Sequence, residues 1–113
     1  MQSNIQKNNS ANHYDVIVLG AGAAGLMAAI TAASRNRSVL VVEKSNKIGK
    51  KILMSGGGKC NFTNTSIEFE NFISKNPHFC KSALSRYTAF DFIKLVEKHS
   101  IEYEERKDHQ MFC

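Results

Sequence analysis

The stretch "YDVIVLGAGAAGLMAA", Tyr14 to Ala29, is where the fold is decided. Tyr14 to Leu19 is short, mostly apolar and β-branched, the make-up of a parallel strand buried on both faces. Gly20, Gly22 and Gly25 follow at fixed offsets. From Ala23 to about Ser34 the chain is rich in alanine, with Leu26, Met27 and Ile30 as its bulky residues, and reads as a tightly packed helix. Arg35, Asn36 and Arg37 end it, the arginines suiting the negative end of a helix dipole. Val39 to Val42 is a second apolar run, closed by Glu43. Strand, helix and strand in about thirty residues make a βαβ unit with a right-handed crossover.

"GAGAAG", Gly20 to Gly25, fits the pattern G-x-G-x-x-G and stands where that pattern has meaning, between a strand and a helix. In that setting Gly20 makes the tight turn, Gly22 lets the backbone approach a pyrophosphate, and Gly25 lets helix and strand pack closely. The helix start offers unpaired N–H groups and a positive dipole end to the phosphates. Glu43 follows Gly25 one strand later, where a carboxylate accepts hydrogen bonds from ribose hydroxyls and disfavours a 2′-phosphate, so NADP suits this site poorly. Gly20, Ala21, Gly22, Ala23, Ala24, Gly25, Glu43 and the adjoining Lys44 are therefore the candidate dinucleotide-binding residues of this half.

Composition narrows the rest. A chain of 113 residues, 42% hydrophobic and 22% charged, has the size and balance of one globular domain. Its formal charge of +5 is spread along the sequence rather than massed, so no nucleic-acid partner is expected from charge. Cys60, Cys80 and Cys113 are odd in number and lack C-x-x-C spacing, which fits a reducing, cytoplasmic setting better than a disulfide framework. Val16 to Ala33 carries no charge and invites a membrane reading. Its order of β-branched residues, spaced glycines, then Ala and Leu favours strand, turn and helix, so no membrane partner is expected. The polar opening, Met1 to His13, reads as a disordered arm. The four histidines show no metal-ligand spacing, and no metal is expected.

Beyond Asn64 the pattern is weaker. Asn76 before Pro77 suggests a cap and a helix from Pro77 to about Tyr87. Thr88 with Asp91 three residues on suggests a second capped helix, with Phe92, Leu95, Val96 and His99 along one face. In "IEYEERK", Ile101 and Tyr103 alternate with glutamates as in a short strand.

A second glycine loop lies in "KKILMSGGGKCNFTN", Lys50 to Asn64. It is not a Walker phosphate loop: Leu53 stands where that pattern needs glycine, and Cys60 where it needs Ser or Thr. Together "YDVIVLGAGAAGLMAA", "VVEKSNKIGKKILMSGGGKCNFTN" and "HQMFC" resemble the N-terminus of bacterial NAD(P)/FAD-dependent oxidoreductases of the aminoacetone-oxidase-like kind, relatives of flavoproteins linked to bile-acid reduction. The likeness covers Tyr14 to Cys113, and its most specific element is "KILMSGGGKCNFTN". It implies FAD at the first site, with Gly20, Gly22 and Gly25 by the pyrophosphate and Glu43 on the ribose. It also implies that Ser55, Gly56, Gly57, Gly58, Lys59, Cys60 and Asn61 lie against the cofactor, where side chains on the three glycines would obstruct it. Lys59 admits two readings, a charge that offsets phosphate or a solvated lysine. Cys60 reads as a small residue in a crowded loop rather than a nucleophile, and Asn61 and Asn64, with Thr63 and Thr65, as residues that hold the loop by side-chain-to-backbone bonds. NAD(P)H is the electron donor such a family would use in its full-length form.

The expected architecture is thus α/β: a Rossmann-like FAD-binding βαβ unit followed by a helical segment, in residues 14–113. Two convincing parallel strands leave sheet faces uncovered, so the chain reads as the truncated N-terminal part of a doubly wound domain. The missing C-terminal part of the same enzyme, and an unknown small-molecule substrate, are the expected partners. On that reading the flavin would carry the chemistry, catalytic residues are unknown, and the chain alone is not catalytically competent. The other reading is a small non-enzymatic nucleotide-binding or interaction module.

Overall fold

The computed structural model describes residues 13–113. The expected N-terminal arm lies outside the described residues except for His13, which is exposed. The chain divides into two compact units, one extending to Gly49 and the other covering Lys50–Cys113.

In the first unit, β1 (Val16–Leu19) and β2 (Val39–Val42) pair in parallel, with Val16 opposite Val39 and Leu19 opposite Val42. The helix α1 (Ala23–Ala33) connects them and packs on both strands. It ends where Asn36 takes a left-handed conformation (φ 57°), and the amides of Arg35, Asn36 and Arg37 turn back to the carbonyls of Ala32 and Ala33. Asp15 and Ser38 tie the strand starts together. The amide and hydroxyl of Ser38 both donate to Asp15 Oδ2, at 2.8 and 2.9 Å.

One expectation about this unit is corrected. The first strand is not buried on both faces: its residues alternate between half-buried and exposed, and Leu19 is 82% exposed. A sheet of only two strands under one helix covers only one side, leaving Ile17, Leu19 and Val42 in the open.

The second unit is a helical and antiparallel assembly. Its first element, α2 (Lys50–Gly58), breaks after Leu-Met: Ser55 is extended (ψ 151°), and Gly56 and Gly57 are left-handed. Then come β3 (Asn61–Asn64), α3 (Lys81–Arg86), α4 (Ala89–Lys98), β4 (Glu104–Glu105) and β5 (Gln110–Phe112). The strands form an antiparallel sheet in the order β3-β5-β4. Ile93 and Val96 of α4 are buried, as are Met111 and Phe112 of β5. Phe62 on β3 meets Phe92 and Tyr103 edge-on, with centroids 5.5 and 6.0 Å apart.

The expected cap of α4 is present. Thr88 Oγ1 accepts from the Asp91 amide, and Asp91 Oδ2 accepts from the Thr88 amide at 2.9 Å. The expected helix from Pro77 starts later, at Lys81. Asn76 Oδ1 does accept from an amide, that of His78, but closes only a local turn. The expected strand around Ile101 and Tyr103 is displaced to Glu104–Glu105, because Ser100 is left-handed (φ 54°) and the chain is still leaving α4 at Ile101.

Candidate functional site

The first unit concentrates the predicted residues at the head of α1. The amide of Gly20 donates to the carbonyl of Val42 at 2.7 Å, so the turn leaves β1 directly beside the end of β2. Ala21 follows, 1% exposed, and its amide donates to Glu43 Oε2 at 2.7 Å. The other oxygen, Oε1, accepts from the Ser45 amide at 2.7 Å. These bonds, the one from Ser45 before that from Ala21, hold the Glu43 carboxyl below the usual glutamate range. Glu43 is thereby fixed as an anion beside the glycine turn. A carboxylate has room for about four acceptor contacts, so two amides leave it able to take hydroxyl donors. Lys44, next along, is exposed.

The three glycines differ in what demands them. A Cβ at Gly25 would stand 1.9 Å from the carbonyl oxygen of Gly20, so a side chain there drives α1 off the turn. Gly20 has φ +99° and needs glycine for its backbone. Gly22 has neither reason: its φ is −84°, and a Cβ would meet nothing within 4 Å. As the N-cap of α1 it is at a position where glycine is favoured over alanine but not required. No side chain caps that helix, and its first turn, which contains Ala23 and Ala24, carries no acidic residue. The turn therefore presents open space against uncapped amides and a positive dipole end, which is what a pyrophosphate requires.

The second unit holds Ser55 to Asn61. Gly56, Gly57, Gly58 and Cys60 all have positive φ, and the Cys60 amide closes the loop on the Ser55 carbonyl at 3.0 Å. A Cβ at Gly56 would lie 2.6 Å from the Phe112 ring and 2.7 Å from the Asn61 nitrogen. At this glycine the obstruction comes from the chain's own strands. Gly57 and Gly58 have open space around them, and Lys59 is exposed, with no ion pair among the described residues. Asn61 belongs to β3, opposite Phe112, rather than to an irregular loop. Asn64 does act as expected of a holding residue: Nδ2 donates to the Asp108 carbonyl and Oδ1 accepts from Ser66.

Sequence reasoning missed Ser45 and Asp15. Ser45 is signalled only by its position two after the acid, where a turn returns its amide to that carboxylate.

Comparison with known proteins agrees with this geometry. The family model described as HI0933-like protein Rossmann domain matches residues 14–113. The chain belongs to that family. Among curated relatives of this HI0933-like chain, the ribosomal RNA dihydrouridine synthase of Escherichia coli K12 is 52% identical over 100 residues, which are 88% of this chain and 25% of the relative. The synthase of the same name from Haemophilus influenzae is 54% identical over 97 residues, 86% of the chain and 24% of the relative. The 3-dehydro-bile acid delta(4,6)-reductase of Clostridium scindens is 36% identical over 72 residues, 62% of the chain and 18% of the relative. The HI0933-like chain thus spans about a quarter of the length of the first two. The membership stands at the level of the Rossmann-domain family; the aminoacetone-oxidase-like label is finer than these relatives bear.

Among the described residues, no helix is long and apolar enough to cross a membrane, α1 having 11 residues. No group of three His, Cys, Asp or Glu there is placed to hold a metal.

Proposed function

We propose that this chain is the FAD-binding N-terminal portion of a flavin-dependent oxidoreductase, and that the whole protein reduces a base in ribosomal RNA. The observation that carries the cofactor half is the open turn at Gly22, set between uncapped helix amides and an anionic Glu43. In this reading the amides at the head of α1 face the pyrophosphate, and Glu43 accepts from the ribose while Ala21 and Ser45 hold it in place. Lys44 beside Glu43 is a further candidate, and Ser55, Gly56, Gly57, Gly58, Lys59, Cys60 and Asn61 are candidates carried over from the family resemblance. FAD, when bound, supplies reversible hydride chemistry. NAD(P)H as the donor that recharges it belongs to the same proposal.

The substrate half is supported by the names of two relatives that are 52% and 54% identical over 88% and 86% of this chain, each a ribosomal RNA dihydrouridine synthase. It departs from the expectation, drawn from scattered charge, that no nucleic acid is involved. It takes precedence over an aminoacetone oxidase because no relative named here acts on that substrate. A deletion of the gene tests it: dihydrouridine should vanish from digested ribosomal RNA and return with the full-length gene. Unchanged dihydrouridine in the deletion strain rejects the substrate and leaves the flavin site standing.

A further inference from the structure

Cys60 and Cys113 adjoin the ends of an antiparallel pair, β3 and β5. Asn61 stands opposite Phe112 in the β3–β5 ladder, and Cys60 and Cys113 are the next residues outward, Cys60 in a left-handed conformation (φ 46°). The amide of Cys113 donates to the carbonyl of Cys60 at 3.3 Å, and both cysteines are free thiols. With that N···O contact the two Cα atoms can be no more than about 7 Å apart, close to the roughly 4.4 to 6.8 Å that a disulfide spans. Cys80, the third, lies instead against the Phe69 carbonyl, at 3.7 Å. The family resemblance assigns no partner to Cys60, and the geometry supplies one from the far end of the described chain.

The geometry points to a reversible thiol modification site: Cys60 and Cys113 form an intramolecular disulfide by exchange with a small-molecule disulfide such as oxidised glutathione. One cysteine thiolate attacks a glutathione sulfur; the glutathione S–S bond breaks and one glutathione leaves with the electron pair. The second cysteine thiolate then attacks the protein sulfur of the mixed disulfide and displaces the other glutathione. Two protein thiols are oxidised, one glutathione disulfide is reduced to two thiols, and the two protons pass to the leaving thiolates. The bond would pin the exit of the Ser55–Cys60 loop to the end of β5. Burial pushes the Cys113 thiol above its usual range and nearness to Cys60 adds to this, so the exchange speeds up as the pH rises.

Oxidised glutathione is added to the reduced 113-residue chain, native and in urea, and the disulfides are mapped after digestion. In urea the shorter loop wins, and Cys60–Cys80 should exceed Cys60–Cys113 by roughly fourfold. In the native sample the order reverses, with Cys60–Cys113 in excess by about tenfold or more, because the Cys113 amide bond to Cys60 holds that pair close while Cys80 lies against Phe69. The Cys113→Ser variant should stop at the mixed disulfide on Cys60. A native sample with the same distribution as urea, or one in which Cys60 and Cys113 both remain glutathionylated, overturns the proposal.

Discussion

The main-chain amide of Ala21 donates to one oxygen of Glu43 while the amide of Ser45 donates to the other, which ties the glycine turn after β1 to the residue that ends β2. Glu43 is thus a structural clasp as well as a candidate ribose ligand. The two roles separate by substitution. Glu43→Gln keeps an acceptor for one amide but loses the anion, so it should weaken flavin retention in the full-length protein and lower the stability of the isolated chain. Glu43→Ala should do both more severely. Thermal melts and bound-flavin absorbance of the two variants check this.

The same clasp sets a pH dependence. The folded-state pKa of Glu43 is depressed, chiefly by the Ser45 and then the Ala21 amide; that of Asp15 is depressed by Ser38, and that of Asp91 by Thr88. A carboxyl depressed in the folded state contributes stability that is complete above its unfolded value and is lost as the pH falls through the folded one. The contribution of these three carboxyls should therefore be complete at neutral pH and be lost progressively below the ordinary carboxylate range. Melts across that acid range, with Asp15→Asn, Glu43→Gln and Asp91→Asn each flattening the decline, test the sign.

Gly22 and Gly25 should respond differently to an added methyl. Gly25→Ala puts a Cβ 1.9 Å from the Gly20 carbonyl oxygen and should cost about 3 kcal/mol, at the upper end for overpacking. Gly22→Ala meets open space and should cost about 1 kcal/mol or less, as alanine is a poorer N-cap than glycine. Chemical denaturation of the isolated chain distinguishes them.

Gly56→Ala should disrupt the second unit, since the added methyl collides with the Phe112 ring and Asn61 at a left-handed position. A loss of about 2 kcal/mol or more is expected, combining overpacking with αL strain. Thr88→Ala removes the α4 cap and should cost about 1 kcal/mol. Amide exchange of residues in β3 and α4 reports the two effects separately.

The first unit was largely legible because its elements are set by local signals. The apolar run Val39 to Val42 is bounded by Ser38 and Glu43, and it pairs with β1 over those four residues. The glycine spacing placed α1 to within a residue. The second unit was less so. In "NFTN" the two asparagines, poor strand residues, offset Phe62 and Thr63, and the segment becomes β3 through pairing with Gln110–Phe112 far along the chain. Thr88 and Asp91 were readable because a capping box lies within four residues, while the start of α3 was not, because Asn76 spends its cap on a turn. The clasp on Glu43 was half legible: the acid was assigned beside the turn, but which amides would hold it depends on a loop that no periodicity marks.

The most direct measurement of the central claim is the bound-flavin absorbance of the full-length protein, purified as wild type and as Gly22→Val. The wild type should come off the column yellow with about one flavin per chain, and the variant should be folded but colourless, because the added side chain fills the space left for the pyrophosphate. A folded Gly22→Val protein that keeps its flavin at the wild-type ratio would contradict the account.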